Sequence, residues 1–483
     1  MNVEELNRLF EAQGKKRWQV AKTTAKERIA KLKALRKAII ARQQEFYDAV
    51  WEDFHKPKTE AWITEVYPAI SEIDYAIKHL RKWMFDKPGE MSLLVATSRS
   101  ASHFEPKGRV LIMAPWNYPF LLFLSPIAAA ITAGNVVIAK PSHKTPRVSA
   151  VLEALIADVF EKDEVAVVQG AGAELGDKLL ALPFDHVFFT GSPKVGAHVA
   201  ELAAKIHAGV TLELGGKSPT FILEDVKIAD AARKIAWGKC LNAGQTCIAP
   251  DYVLCPRSLV TAFATAVADN IKKMYGDTDE ARKECENFVH IVEPHAVERH
   301  KDLILDAVAR GATAVIGGAE FCDADARYTP ATVLTGVTPD MEIMQSEIFG
   351  PILPIIAYDS LDEAIAFVQG RPKPLALYIF GKYSHNKSSR NIRQVLIETT
   401  SGSTCVNHCI LQIENLSVPF GGVGMSGTGN YHGFYGFKTF SHERNVMHQG
   451  AFDPLSFLYP PYHKAGDKGW RARIQRLAKK ILG

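Results

Sequence analysis

The chain has 483 residues, of which 47% are hydrophobic and 23% charged, and its formal net charge is +4. This length is too great for one hydrophobic core and predicts two large lobes. The composition is that of a globular protein, and so small a charge gives no reason to expect a nucleic-acid partner. Seven cysteines, an odd number, favour free thiols in a reducing compartment over a disulfide framework. The first residues show no signal-peptide pattern, so we expect a cytoplasmic protein.

The amino-terminal part of the chain predicts helices. Residues Ala25–Phe54 place Ile, Leu, Phe and Val at helical spacing opposite Lys and Arg, which predicts a long amphipathic helix. Residues 68–84 predict a second helix with a proline in its first turn. Residues 88–103 are polar and predict an extended connection.

Residues 120–139 are apolar enough to imitate a membrane span. Pro126, Gly134 and Asn135 interrupt this run, which therefore predicts an apolar helix followed by a strand. Around it, segments with strand and helix patterns alternate, and such alternation predicts right-handed crossovers and a mostly parallel sheet. Strands are expected at 109–113, 135–139, 165–168, 186–189 and 212–214, and helices at 145–160, 174–180 and 197–205.

A second alternating section follows and predicts another α/β lobe. Beyond Ser401 the chain becomes glycine-rich, as in PFGGVGMSG at residues 419–427. In the second section, helices are expected at 230–239, 258–273, 294–310 and 361–368, and strands at 252–254 and 313–316.

The turn TGSPKVG at residues 190–196 joins a predicted strand to a predicted helix. A glycine turn of this kind presents backbone N–H groups and the positive end of the helix dipole, which suits a phosphate. It lacks the Gly-x-Gly-x-x-Gly fingerprint of dinucleotide-binding folds. From these residues alone, a plain strand-to-helix turn is as good an interpretation as a phosphate site.

Cys247 lies in LNAGQTCIAP, a segment of small and amide residues between a predicted helix and a predicted strand. A thiol on a turn is accessible to a substrate, and the backbone N–H groups of the turn can lower its pKa and hold an oxyanion. A cysteine considered alone is more often a small buried hydrophobic residue. Two acidic motifs accompany this one: Glu213 in LELGGK and Glu347 in EIFGP.

Together with PWNYP at residues 115–119, these motifs closely resemble the aldehyde dehydrogenase superfamily. The resemblance covers residues 115–442, and the short amino terminus, the GSPKVG loop and the later YHG and TFSH stretches are most similar to the class 3 type. The chain departs from the family at His143, where relatives usually carry a glutamate after Lys-Pro-Ser. The basic tail beyond Ala465 matches no shared motif.

The resemblance implies an α/β protein with a Rossmann-like cofactor lobe, an α/β catalytic lobe and a small oligomerisation arm. Members of that class are typically dimers, so a homodimer is expected. The implied divisions are a dinucleotide-binding domain at 1–80 and 103–216, a catalytic domain at 217–405, a bridging arm at 81–102 and 406–445, and a tail at 446–483.

The resemblance also implies the chemistry of the site. Cys247 attacks the aldehyde to form a thiohemiacetal, which passes hydride to a nicotinamide and becomes a thioester. The side-chain amide of Asn117 and the backbone N–H of Cys247 hold the oxyanion. Glu213 matches the base that activates water for hydrolysis of the thioester, and Glu347 is the second candidate for that base.

The cofactor implied by the resemblance is NAD or NADP. His143 and the adjacent Lys144 stand where a glutamate would repel the extra phosphate of NADP, so we predict that NADP is accepted. Lys140 is expected to contact the adenosine ribose, and the pyrophosphate is expected to contact Gly191, Ser192 and Gly196. Glu347 is expected to contact the nicotinamide ribose, with Phe349 beside the nicotinamide ring.

Residues 405–409, which read Cys-Val-Asn-His-Cys, bring two thiols and an imidazole close together and could suggest a metal site. A structural zinc site needs four ligands, and no second ligand pair is near in the sequence. We therefore expect no metal, and interpret the segment as a strand or turn near the substrate pocket.

Two other functions stay open. One is a catalytically silent family member that acts as a structural or binding protein, and the other is an enzyme that transfers the thioester to coenzyme A or phosphate. Silent members usually lose the nucleophile or the oxyanion donor, and the transferring relatives commonly lack the base, whereas this chain has all three. The sequence leaves the aldehyde open, whether aliphatic, long-chain or aromatic.

The tail predicts a basic amphipathic helix over residues 470–482. Trp470, Ile474, Leu477 and Ile481 fall on one stripe, and the remainder holds five basic residues and no acidic one. Such a helix can lie in the interface of an anionic membrane but is too short and too charged to span it. Docking on its own subunit or on a dimer partner is the alternative to this peripheral membrane contact.

Overall fold

The computed structural model describes residues 2–91, 97–170, 172–384, 387–451, 453, 459–460 and 468–481. Its α-helices alternate with strands through most of the chain, as the sequence predicts. The α-helices are α1 Val3–Ala21, α2 Ala25–Phe54, α3 Lys58–Ala61, α4 Tyr67–Trp83, α5 Leu121–Ala133, α6 Pro146–Ala157, α7 Gly172–Leu180, α8 Pro193–Lys205, α9 Ile228–Cys240, α10 Val260–Tyr275, α11 Asp279–Lys283, α12 Pro294–Ala309, α13 Leu361–Gln369, α14 Arg390–Glu398, α15 Gly433–Thr439 and α16 Trp470–Ile481.

The strands are distributed over three main sheets and one short hairpin. They are β1 Lys87–Pro88, β2 Ser98–Pro106, β3 Arg109–Met113, β4 Val136–Lys140, β5 Val165–Val167, β6 His186–Gly191, β7 Gly209–Leu214, β8 Pro219–Ile222, β9 Tyr252–Pro256, β10 Thr313–Ile316, β11 Thr332–Thr335, β12 Ile352–Tyr358, β13 Ala376–Phe380, β14 Tyr383–Ser384, β15 Lys387–Ser388, β16 Ser403–Val406, β17 Gly427–Thr428 and β18 Ser441–Gln449.

The first large sheet has the strand order β17-β7-β6-β3-β4-β5. Strands β3 to β7 pair in parallel, and β17 joins the edge antiparallel to β7. The prediction of a mostly parallel sheet is therefore confirmed. Because parallel strands point the same way, the carboxyl ends of β4, β6 and β7 all lie at one edge, where doubly wound sheets bind their ligands.

The second large sheet has the order β10-β11-β12-β9-β8-β13-β16 and is parallel except for the pair β10 and β11. A third, antiparallel sheet consists of β1, β2 and β18. Its strand β2 occupies part of the region 88–103, for which the sequence predicts an extended connection. The two parallel sheets give the two α/β lobes expected from the aldehyde dehydrogenase resemblance.

Helices α1 and α2 illustrate how local sequence sets these elements. The predicted helix at Ala25–Phe54 has the bounds of α2, which begins after a capping box formed by Thr24 and Glu27. The sequence reading missed α1, although Asn2 and Glu5 form the same kind of box before it. Both helices have buried apolar stripes.

The apolar run at residues 120–139 forms α5 and then β4, as predicted. Every residue of α5 is buried inside the fold, which explains why this helix is apolar on all sides. Among the described residues, no helix combines the length and the apolar character needed to cross a bilayer.

Candidate active site

The segment that carries Cys247 begins with a strained turn directly after α9. Asn242 and Ala243 both have left-handed backbone angles, φ 53° and 50°, and Gly244 follows with φ 71°. Such angles cost about 1 kcal/mol or more for non-glycine residues, so surrounding contacts must hold them. A side chain at Gly244 would collide with the carbonyl group of Gly350, which explains the glycine there. The turn thus packs the cysteine segment against the loop after Glu347.

Asn242 and Asn117 hold this segment through their amides. The Asn242 side chain donates to the carbonyl oxygens of Asn117 at 2.9 Å and Gln245 at 3.1 Å. The Asn117 side chain, 4% exposed, donates to the same Gln245 carbonyl at 3.0 Å. An amide nitrogen has two hydrogens, so this bond leaves one for another acceptor. The side chain of Asn117, the predicted oxyanion donor, is therefore held by the carbonyl of Gln245, two residues before Cys247.

The Cys247 thiol lies in a setting that opposes its ionisation. Burial and, to a lesser extent, the charges of Glu347 and Glu213 raise its pKa to about 12, although the backbone N–H groups of Cys247 and Ile248 act in the opposite direction. At neutral pH the thiol is thus protonated, and it must lose its proton before it can attack. The same influence shows that both carboxyl groups lie near the sulfur.

Glu213 lies near the end of β7, opposite Gly427 of β17. Its side chain is only 4% exposed, and neither carboxyl oxygen receives a hydrogen bond from any described residue. Burial raises the pKa of Glu213 well above its usual range. A buried carboxyl group with no donor to its oxygens is free to take a proton.

Glu347, in contrast, is tethered. Burial and the nearby Asp251 raise its pKa to about 8, and a hydrogen bond from the Gly216 N–H has the opposite effect. Its carboxylate lies so close to Gly215 that a Cβ there would collide with it. Asp251 also pairs with Lys217 at 2.5 Å.

The loop that presents Phe349 is bound on both sides. The Asp251 carboxylate accepts the Ile348 N–H at 3.0 Å, and Arg299 donates to the Ile348 carbonyl at 2.9 Å. Phe349 has a left-handed backbone, φ 52°, and its ring meets that of Trp116 edge to face at 5.4 Å. Phe349 is thereby held beside the motif that contains Asn117.

The turn from β6 to α8 has the features of a phosphate site. Ser192 is the N-cap of α8, and its hydroxyl accepts the Val195 N–H at 3.4 Å. A Cβ at Gly191 would approach the Phe189 ring to 2.5 Å, and one at Gly196 would approach Leu214 to 2.6 Å. Glycine at these positions therefore keeps the turn tight against the sheet, with the helix amino terminus open to an anion.

Lys140 ends β4, two strands away from this turn, with β3 between them. Its side chain is buried and forms no ion pair with a described carboxylate, and burial lowers its pKa. Burial and the charges of Lys140 and Lys144 lower the pKa of His143. Lys144 forms an ion pair with Glu293, a contact that the sequence does not reveal. A cation with unused donors at this edge fits the hydroxyl groups of a nucleotide ribose.

A buried charged network behind the cysteine segment was missed by sequence reasoning. Lys56 pairs with Glu65 at 2.7 Å and lies 4.1 Å over the ring of Tyr118, and all three residues are buried. The Tyr118 hydroxyl shares a 2.6 Å hydrogen bond with Thr246, next to Cys247. The only local signal is a density of acids and lysines after α2, which is also typical of a solvated surface.

Glu60 belongs to the same network. Its carboxylate accepts the backbone N–H of Asn242 at 2.8 Å and so stabilises the left-handed turn. Burial raises the pKa of Glu60 to about 7. A π-helical turn, Trp62–Val66, follows it and carries Glu65.

Residues 405–409 fall at the end of β16, an edge strand of the second sheet, and in the turn after it. The His408 ring contacts the backbone of Cys409. No group of side chains suited to hold a metal occurs among the described residues.

These features define a class of protein. A thiol near two buried carboxyl groups, beside the ligand-binding edge of a parallel sheet with a glycine turn at a helix amino terminus, is typical of a dinucleotide-dependent dehydrogenase with a cysteine nucleophile.

Comparison with known proteins identifies the family to which the chain belongs. The aldehyde dehydrogenase family model matches residues 1–446. The putative aldehyde dehydrogenase AldX of Bacillus subtilis is 42% identical over 93% of this chain and 98% of its own. The dimeric, NADP-preferring aldehyde dehydrogenase of Canis lupus familiaris is 37% identical over 90% of this chain and 93% of its own. The solved substrate-bound state of Staphylococcus aureus AldH has a TM-score of 0.89 at 36% identity over 100% of both chains. The chain belongs to the aldehyde dehydrogenase family.

Proposed function

We propose that this enzyme oxidises an aldehyde to the carboxylic acid with NAD or NADP, using Cys247 as nucleophile, Asn117 as oxyanion donor and Glu213 as base. The assignment of the base rests on the burial and the hydrogen-bond partners of the Glu213 carboxyl group. Its carboxyl group is buried near the thiol, and both of its oxygens lack a donor among the described residues.

The first step is attack of the Cys247 sulfur on the aldehyde carbon. Because the thiol pKa is raised, its proton must leave to solvent as the S–C bond forms. The negative charge that develops on the aldehyde oxygen is bound by the second amide hydrogen of Asn117 and by the Cys247 N–H. One such donor is worth about two to three powers of ten in rate.

The described residues fit a dinucleotide at the edge formed by β4 and β6. Lys140 is a buried cation without a carboxylate partner, and Ser192 begins a helix whose amino terminus suits a pyrophosphate. Glu347 and Phe349 would hold the nicotinamide end. When bound, NAD or NADP supplies the acceptor for the hydride that leaves the thiohemiacetal carbon.

Hydrolysis of the resulting thioester completes the reaction. Glu213 takes a proton from water, which attacks the thioester carbonyl, and the Cys247 thiol is released with the acid. Glu347 is a poorer candidate for the base, because the Gly216 N–H and close contact with Gly215 restrain its carboxylate.

A kinetic assay tests the proposal against the two open alternatives. Purified protein is given aliphatic aldehydes of increasing chain length and aromatic aldehydes with NAD or NADP, and reduced cofactor and free acid are both measured. We expect equal amounts of the two without coenzyme A or phosphate. A requirement for coenzyme A or phosphate would assign thioester transfer, and no turnover with any aldehyde would favour a silent member.

We also propose that the protein is a homodimer, and that residues 81–102 and 406–445 form its bridging arm. The long strand β18 lies at the edge of its sheet, and no described strand pairs with its outer side. An unpaired edge strand is a template for another chain. Light scattering coupled to size-exclusion chromatography would give twice the chain mass, whereas a monomer mass would contradict the proposal.

The helix α16 is proposed as a peripheral contact with anionic membranes. The predicted apolar stripe is exposed where it is described: Trp470 is 65%, Ile474 36% and Leu477 56% exposed. The sequence of α16 contains basic residues and no acidic one, which matches an anionic lipid surface. Residue 465, at which the shortened chain of the vesicle test would end, lies outside the described residues.

Co-sedimentation with vesicles tests this contact. The full chain should bind phosphatidylserine vesicles at low salt and release them at high salt, and a chain that ends at residue 465 should not bind. Failure of the full chain to bind at low salt would contradict membrane contact and leave docking on protein as the role of α16.

A further inference from the structure

A cavity of about 600 Å³ lies on the side of the first sheet away from the dinucleotide edge. It is bounded by the carboxyl end of α1, the start of α2, the end of β2 and the start of β18. Lys107 and Gly108, which line it, directly precede Arg109, the first residue of β3. Amino ends of parallel strands lie at the edge opposite their carboxyl ends, so this cavity is separate from the proposed dinucleotide and aldehyde sites.

Arg28 contributes a buried positive charge to the wall of the cavity. It is 4% exposed and donates to three neutral oxygens: the hydroxyl of Thr23 and the carbonyls of Ala21 and Thr132. It forms no ion pair with a described carboxylate. Burial lowers its pKa to about 10 and the charge of the neighbouring Glu27 acts in the opposite direction, so the guanidinium is charged at neutral pH, and no carboxylate of a described residue pairs with it.

Lys107 provides a second cation, which is half-buried. Its ammonium group lies 3.0 Å from Nδ1 of His186 and forms no ion pair among the described residues. Burial, and then the Lys107 charge, lower the pKa of His186 well below its usual range, so the ring is neutral. The other ring nitrogen lies 3.1 Å from the Thr211 hydroxyl, which fixes the ring. Arg28 and Lys107 therefore both have neutral hydrogen-bond partners among the described residues.

The more exposed wall carries two further cations, each of which reaches a carboxylate. Arg17 reaches Asp185 only at 3.7 Å, and its buried Nε has no partner among the described residues. Arg444 pairs with Glu105 at 3.3 Å. Among the described residues that line the cavity, Glu105 is the one carboxylate, against the five cations Arg17, Lys22, Arg28, Lys107 and Arg444.

Desolvated cations with only neutral partners cost free energy unless an anion compensates them. We propose that this cavity binds a small multivalent oxyanion, a phosphate-bearing or polycarboxylate molecule. The volume falls in the range of sites for small organic ligands, roughly 300–1,000 Å³. Trp18, beside Arg17, and Phe104 supply apolar surface for the carbon part of such a ligand.

Isothermal titration of the full chain tests the site. Inorganic pyrophosphate and citrate are titrated separately at constant ionic strength, with NAD saturating so that the dinucleotide site is filled. We expect at least one of them to bind, and the preference between them identifies the phosphate or the carboxylate as the anionic group. Acetate, which carries one carboxylate where citrate carries three, should bind far more weakly.

Three variants locate the binding. Lys107→Met and Arg17→Gln each remove one lining cation, and each should weaken binding about tenfold, the value of one charge-assisted hydrogen bond. Lys15→Gln removes an exposed charge from the same helix as Arg17 without touching the cavity, and should leave the affinity unchanged. Arg17 is partly exposed, so its variant tests the site even if Lys107→Met fails to fold.

Two results would overturn the proposal. One is the absence of binding by both pyrophosphate and citrate. The other is binding that Arg17→Gln leaves as tight as in the wild type, because the anion would then lie elsewhere.

Discussion

Replacement of Glu213 by glutamine isolates the base from the rest of the site. Glutamine has nearly the same shape but cannot accept a proton from water. Since neither oxygen of Glu213 receives a hydrogen bond from a described residue, the substitution breaks no hydrogen bond within the described part of the chain. Attack by Cys247 and hydride loss should still occur once per site, after which the thioester should accumulate.

The size of the effect follows from what could replace Glu213. General-base catalysis contributes about two to four powers of ten in rate, or about 3–5 kcal/mol. Glu347 is the other carboxyl group near the thiol, and its carboxylate is bound by the Gly216 N–H and wedged against Gly215. We therefore expect the steady-state rate of Glu213→Gln to fall about 10²- to 10⁴-fold, with little compensation.

Stopped-flow detection of reduced cofactor measures this directly. Glu213→Gln should give a burst of about one equivalent per active site and then stall, and mass spectrometry should find the acyl group on Cys247. In the wild type, hydrolysis should accelerate as pH rises through the raised pKa of Glu213, because only the ionised form is a base. Loss of the burst together with the steady-state rate would refute this role, and continued turnover after the burst in Glu213→Gln with a stall in Glu347→Gln would move it to Glu347.

Three further predictions test other parts of the structure. Cys247→Ala should abolish oxidation while calorimetry shows dinucleotide affinity nearly unchanged, and Cys255→Ala, a buried control outside the motif, should retain turnover; turnover without Cys247 would contradict the assignment. The pKa of Glu60 in the folded protein is raised from 4.5 to about 7, so ionisation of Glu60 opposes folding and the free energy of unfolding should fall by about 3 kcal/mol between those pH values. Denaturant titrations at pH 4.5 and 8 should show this fall in the wild type but not in Glu60→Gln, and an equal fall in both proteins would contradict the role of Glu60. The wild type should accept NADP, and His143→Glu should raise the KM for NADP at least about tenfold relative to NAD through charge repulsion; a wild type that refuses NADP would contradict the role of His143.

Several elements could be predicted because their signals are local. The helix α2 begins and ends where its apolar spacing does, and Thr24 with Glu27 marks its start. The alternation of strands and helices predicted a mostly parallel sheet, which places the carboxyl ends of β4 and β6 at one edge. The motifs around Cys247 indicated the family, which the family model and the relatives confirm. The roles of the individual site residues stay predictions.

The tertiary structure alone decided the electrostatic state of the site. Glu60 accepts the N–H of Asn242, 182 positions away, and Lys56 and Glu65 are fully buried although their sequence is typical of a surface. The absence of donors to Glu213 among the described residues depends likewise on everything packed around it. Periodicity and capping are properties of neighbouring residues and can be read from the sequence. Burial, hydrogen-bond partners and pKa depend on segments that only folding brings together, and for that reason the surroundings of the Glu213 carboxyl group and the burial of Arg28 are decided only in the folded chain.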